Sequence, residues 1–208
     1  TKVLARKAAT MFGIDFAPTF IRHAREAEQH TPLNIEFHLA DCKELSFAQA
    51  SFDFAVAFMS LMDVDDLDRA LDEAYRVLKP GGFLQFSILH PCFAAIGSQK
   101  VCDENGDLIG RSSGKYFTSC AGEEWSWTFG AAPDDIKARH AKFIILRFHR
   151  PISSWVNSVI AAGFELKVLQ EPRPTAAEVC SDLADNRIVP LFLHVRARKS
   201  GGRPATTG

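Results

Sequence analysis

The chain has 208 residues, is 47% hydrophobic and carries a formal net charge of −1, enough apolar material for one domain with a sizeable core. The charge excludes a broad electrostatic footprint for nucleic acid, and no apolar run is long enough to span a bilayer. The start, TKVLARKAAT, has no signal-peptide core, and Cys42, Cys92, Cys102, Cys120 and Cys180 show no C-x-x-C spacing, so a reduced, cytoplasmic protein without a bound metal is expected.

Thr1 to Ala9 reads as the body of a helix, with Val3, Leu4 and Ala8 on one side and no cap before them. MFGID, residues 11–15, reads as a short strand. Ala17-Pro18-Thr19 starts a helix, because proline suits a first turn. Phe20, Ile21, Ala24 and Ala27 form its apolar stripe, and Pro32 ends the region. Asn34 to Leu39 alternates as a strand. The run from Phe52 to Met62 predicts a strand buried on both faces. Asp63 then opens an amphipathic helix with Leu67, Ala70, Leu71, Ala74, Val77 and Leu78 three or four apart. Pro80-Gly81-Gly82 is expected to stop it, and Phe83 to Leu89 to form a second buried strand. Such a strand–helix–strand unit predicts a parallel pair with a right-handed crossover.

From His90 to about Arg150 the alternation breaks. A structureless loop of that length is out of place in a compact domain, so the segment is read as an inserted cap. Its strands are expected at 115–119, 125–129 and 143–149. Ile152 to Ala162 reads as a helix closed by Gly163, and Phe164 to Gln170 as a strand. A polar connection with a helix at 176–183 leads to a final strand, Ile188 to Arg198. Residues 1–199 form one domain on this reading, and residues 200–208, SGGRPATTG, a disordered tail.

Ligands in open α/β sheets bind outside the carboxyl ends of the strands. Asp15, followed by Phe16, ends the first strand. A carboxylate there can accept from two ribose hydroxyls, or it can cap a turn or helix. Asp41 and Cys42 follow the next strand; Asp41 can equally cap a loop. Phe58 and Met59 lie near the end of the next strand, either lining a ligand or packing in the core. His90 ends the strand after that. A neutral imidazole there serves as a general base or as a hydrogen-bonded structural group. His149, Glu123 and Glu124 are secondary candidates. Trp125, Trp127 and Tyr116 form either an apolar substrate wall or the cap's own core.

SFD before a strand, followed by ALDEAYRVLKPGGFLQFSILHPCF, resembles the class I S-adenosylmethionine (SAM) dependent methyltransferases of the type 11 group, with RVLKPGG the most telling part. The resemblance implies a Rossmann-like α/β sheet of seven strands, one antiparallel, with the cap inserted between the fifth and sixth. It implies SAM as cofactor and a small-molecule acceptor. It places Asp15 and Phe16 at the ribose, Asp41 and Cys42 at the adenine, and Phe58 and Met59 at the methionine end. The Asn/Asp-Pro-Pro-Tyr motif of many amine and amide methylases is missing. So is the family's D/E-x-G-x-G-x-G loop: Gly13 is the only glycine before residue 81. The first strand and its loop are therefore expected upstream of Thr1. Residues 1–208 alone are then expected to bind SAM poorly and to fold marginally; the alternative to a methyltransferase is a non-catalytic binding or assembly module. A nicotinamide-dependent oxidoreductase is the other alternative, since Asp15 suits either ribose; RVLKPGG speaks against it.

Overall fold

The computed structural model describes residues 2–7, 10–118, 122–127, 133–139, 141–175 and 186–200. A short helix α1 (Lys2–Ala5) precedes strand β1 (Met11–Asp15), helix α2 (Pro18–His30) and strand β2 (Ile35–Leu39). β1 and β2 pair in parallel, with Gly13 opposite Phe37. A Cβ on Gly13 would lie 2.5 Å from the Phe37 ring, so this glycine lets the ring lie against β1 and is explained by packing. Of the expected α2 stripe only Ile21 is fully buried, and Phe20 is 59% exposed. Two strands make too narrow a floor to cover that helix face.

Strand β3 (Phe52–Phe58) ends earlier than its apolar run, because Met59 takes a left-handed φ of 52°. It is only half-buried, not buried on both faces as expected, since β3 hydrogen-bonds to a strand on one edge alone. A 3-10 turn (Leu61–Asp63) intervenes before helix α3 (Leu67–Val77). Asp66, not Asp63, is the cap: its side chain accepts from Arg69 N–H at 3.0 Å. The helix ends at Val77, and strand β4 (Leu78–Leu89) follows at once. Pro80-Gly81-Gly82 therefore lies inside a strand. Pairing with β3 jumps there from Phe52↔Leu78 to Phe54↔Phe83, a bulge that accommodates the proline. Gly81 has φ 81°, and a Cβ on Gly82 would lie 2.9 Å from the Asp53 carbonyl oxygen.

After β4 come β5 (Lys100–Cys102), β6 (Leu108–Arg111), β7 (Glu123–Trp127), α4 (Asp134–Arg139), β8 (Phe143–Arg147), α5 (Ile152–Ala161), β9 (Phe164–Gln170) and β10 (Phe192–Lys199). β5–β6 and β7–β8 are separate antiparallel pairs. Lys115–Thr118 is a turn rather than the expected strand, and Ser119 lies outside the described residues. The Tyr116 hydroxyl there accepts from Ile152 N–H at 3.0 Å, at the first turn of α5. The β5–β6 hairpin was not anticipated. Its signal was Asn105-Gly106, a hairpin dipeptide, and Asp103 Oδ1 accepts from the N–H groups of Asn105 and Asp107. The helix expected at 176–183 lies outside the described residues, as do residues 201–208. Ser200, assigned to the tail, is held: its Oγ donates to the Gly163 carbonyl at 3.2 Å.

The main sheet has the order β3-β4-β10-β9, with β3 and β4 parallel and β10 antiparallel to both neighbours. Leu84, Phe86 and Ile88 alternate along β4, and Leu193, Val195 and Ala197 along β10. They form one buried core with Leu67, Ala70 and Leu71 of α3 and Trp155 and Val159 of α5. The β1–β2 pair is a second, separate piece of sheet.

Candidate functional site

The site lies at the carboxyl ends of β1, β2, β3 and β4. At the end of β1, Asp15 Oδ1 accepts from Ala17 N–H at 2.8 Å, which fixes the turn into α2. Its other carboxylate oxygen has no partner among the described residues. The turn-capping reading of Asp15 is thus the one seen here, made by one of its two oxygens. Phe16 beside it is 80% exposed. The Asp15 carbonyl accepts from Ala40 N–H at 3.0 Å, which brings the loop after β2 alongside.

That loop carries Asp41 and Cys42. Asp41 Oδ1 accepts from Lys43 N–H at 2.9 Å. Burial, and then the Asp41 charge, push the Cys42 thiol up to about 11, so Cys42 is a protonated packing residue rather than a nucleophile. The loop is fastened to α3 by charge. Lys43 Nζ meets Asp65 at 2.7 Å, and Arg69 Nε donates to the Lys43 carbonyl. Arg76 donates to the carbonyls of Leu45 and Phe47, both at 2.7 Å, while Glu73 accepts from Leu45 N–H. The paired Arg76 holds the Glu73 carboxyl below its ordinary range.

β1 and β3 face each other across a cleft of about 650 Å³, lined at its carboxyl end by Asp15, Phe58 and Ser60. Among the described residues no backbone hydrogen bond crosses it. At the other end Phe12 meets Phe52 and Phe47 edge-on, with ring centroids 5.5 and 5.7 Å apart. Phe58 is 56% exposed. Met59 N–H donates to the Ser87 carbonyl at 2.9 Å, which holds its left-handed turn. A bulky residue in that region is uncommon and concentrates at functional sites.

His90 is 2% exposed. Its Nδ1 accepts from Cys92 N–H at 3.2 Å, so Nε2 carries the proton and donates to Glu171 at 2.8 Å. This is the hydrogen-bonded alternative that the sequence left open. The structure does not bring His90 together with Asp15 or Asp41; it joins the end of β4 to the segment after β9. His149 is also buried, its Nε2 bonded to the Tyr116 carbonyl at 2.8 Å.

The family model described as a methyltransferase domain matches residues 1–86. That stretch holds the β1-α2-β2 unit, the charged loop, α3 and most of β4. Curated proteins similar to part of this chain include the ubiquinone/menaquinone biosynthesis C-methyltransferase of Brucella anthropi, 51% identical over 49 residues. That match covers 24% of the chain and 19% of the relative. The demethylmenaquinone methyltransferase of Thermus thermophilus is 37% identical over 76 residues, 36% of this chain and 34% of that one. The chain thus spans about a third or less of the length of these curated relatives. Among solved structures, a SAM-dependent methyltransferase of Mesorhizobium loti superposes with a TM-score of 0.71 at 27% identity. It covers 91% of this chain and 81% of that one. One of Listeria monocytogenes gives 0.68 at 20% identity, covering 91% and 79%. The α/β fold is that of class I SAM-dependent methyltransferases, and SAM is the cofactor this fold serves.

The residues present fit part of that cofactor. Asp15 offers an unpartnered carboxylate oxygen at the edge of the cleft, the donor-seeking group that vicinal hydroxyls need. No glycine loop stands beside it among the described residues, and Gly13 is taken up by Phe37 packing. Two charged groups near the site were missed from sequence. One is Glu171, the partner of His90. The other is Asp63, whose Oδ1 is buried without a partner. Burial raises its carboxyl to about 6, against the pull of Arg147. Neither had a local signal, since each acquires its role from a distant segment.

Proposed function

We propose that this chain carries out SAM-dependent methyl transfer to a small molecule, with Asp15 and Asp41 at the adenosine and Phe58 and Met59 at the methionine end. The supporting observation is the half-satisfied Asp15 carboxylate at the rim of a cleft shared with Phe58 and Ser60. When bound, SAM supplies an electrophilic methyl group. The protein's own contribution is positioning: it holds the acceptor in line and keeps water away. His90 is proposed as a residue that positions the end of β4. Similarity to ubiquinone/menaquinone C-methyltransferases makes quinone precursors the first acceptors to try. With no glycine loop to approach the methionine part, binding by residues 1–208 is expected to be weak, with a Kd of roughly 0.1–1 mM.

Calorimetric titration with S-adenosylhomocysteine tests the reading. Asp15→Ala is expected to weaken binding by about 1.5–3 kcal/mol, the cost of losing a hydrogen bond to a charged group. Binding of NAD in place of S-adenosylhomocysteine would overturn the proposal. The second reading is a non-catalytic binding module. Transfer of a radiolabelled methyl group to any phenol or quinol panel member would exclude it.

A further inference from the structure

Resting on the methyltransferase reading above, we infer that the cavity beneath the cap holds the methyl acceptor, and that this acceptor is an uncharged, planar aromatic ring. The cavity, about 410 Å³, lies where β4 ends at Leu89 and β10 begins at Phe192. These strand ends lie at the sheet edge where β3 also ends, at Phe58. The cavity's size falls within the range of small-molecule sites.

The chemistry of the lining selects the class. The floor is apolar: Leu89, Phe93, Ile96 and Phe192. One wall is the indole of Trp125 on β7. The Arg147 guanidinium lies 4.5 Å from that ring centroid, a cation–π contact that holds the indole in a fixed plane. Both arginines of the cavity are tethered to the floor's own backbone. Arg111 Nε donates to the Phe93 carbonyl at 3.0 Å, and Arg147 donates to the Ala94 carbonyl. They build the wall rather than reach for an anion. At the exposed rim Lys100 stands with Glu123 and Glu124, so the lining carries charges of both signs and neither sign of ligand is favoured. An ion set over the apolar floor would lose its hydration without a matching partner. A flat neutral ring gains by stacking on a fixed indole.

The test is calorimetry on the intact chain, without cofactor, using 2-naphthol, 2-naphthoate and 1-naphthylmethylamine. The expected result is that 2-naphthol binds at least about tenfold more tightly than either ion. Trp125→Ala should weaken 2-naphthol by about tenfold or more. Ala94→Phe, which fills the cavity from its floor, should do the same, and it stands in if Trp125→Ala fails to fold by circular dichroism. Equal or tighter binding of either ion overturns the proposal, as does unchanged 2-naphthol affinity in a folded variant. The two readings fail separately. Binding of 2-naphthol without S-adenosylhomocysteine leaves the cavity assignment standing and sinks the cofactor reading, and the opposite pattern does the reverse.

Discussion

Asp63 shows what a single misplaced proton can do. It follows β3 in the 3-10 turn, with Oδ1 buried and unpartnered, and its carboxyl is raised to about 6, mainly by burial. An unfolded aspartate titrates near 4. Between those values the folded state binds more protons than the unfolded one, so stability falls as pH rises through that window. Above it the penalty is constant. Asp63→Asn removes the titration. In urea denaturation at pH 4 and pH 7, the wild type should lose about 1 kcal/mol relative to the variant, a figure reduced because the residue is only half-buried. A difference independent of pH would show that this carboxyl ionises freely in the fold. His90 gives a complementary case. His90→Ala strands the Cys92 N–H and the Glu171 carboxylate, and should cost about 1–3 kcal/mol while leaving S-adenosylhomocysteine affinity intact. The strand-end position of His90 was legible from its neighbours. Its partner, 81 residues downstream, was not, because no local pattern encodes a contact between β4 and the segment after β9.

Helix α3 is braced at both ends. At its carboxyl end, Lys199 from β10 reaches in and donates to the carbonyls of Tyr75 and Leu78, at 2.6 and 2.7 Å. A cation there satisfies orphan carbonyls and complements the helix dipole. Lys199→Met should cost about 1–3 kcal/mol by leaving those groups unpaired. Leu71→Ala, on the fully buried stripe, should cost about 2–5 kcal/mol. Chemical denaturation reads both. Along its flank, Arg76 and Glu73 hold the loop that carries Asp41, so Arg76→Ala is expected to weaken S-adenosylhomocysteine binding without touching the ligand. Elements with a strong local period were readable: β1, α2 and β9 lie within a residue of their expected bounds. The Pro80-Gly81-Gly82 bulge was misread as a helix stop, because only the neighbouring β3 reveals that the chain is already extended there. Asp63 was read as the helix start, but it closes a 3-10 turn and the cap falls on Asp66.

At the scale of the molecule, the two pieces of sheet present facing edges to the cleft. Unpaired strand edges invite pairing with another chain. Sedimentation velocity over a range of concentrations should reveal reversible association, and Ile14→Lys, on the cleft side of β1, should reduce it. Concentration-independent monomer in the wild type would show that the edges are protected. The parallel β3–β4 pair was legible from the strand–helix–strand alternation, whereas an antiparallel strand was expected only from the resemblance.

The aromatic joint between those pieces has a mechanical meaning. Strands joined by hydrogen bonds are locked in register, whereas rings in edge-to-face contact can slide and tilt at small cost. Phe12, Phe47 and Phe52 therefore act as a bearing rather than a weld. Asp15 and Asp41 ride on one side of that bearing, Phe58 and Met59 on the other. Across the ring contacts the spacing can give, within the limit set by the Lys43 and Arg76 ties of the Asp41 loop to Asp65 and α3. A molecule that touches only one half leaves the compliance in place. One that touches both stiffens the whole protein, and part of its binding free energy is offset by the entropy of the motion it stops.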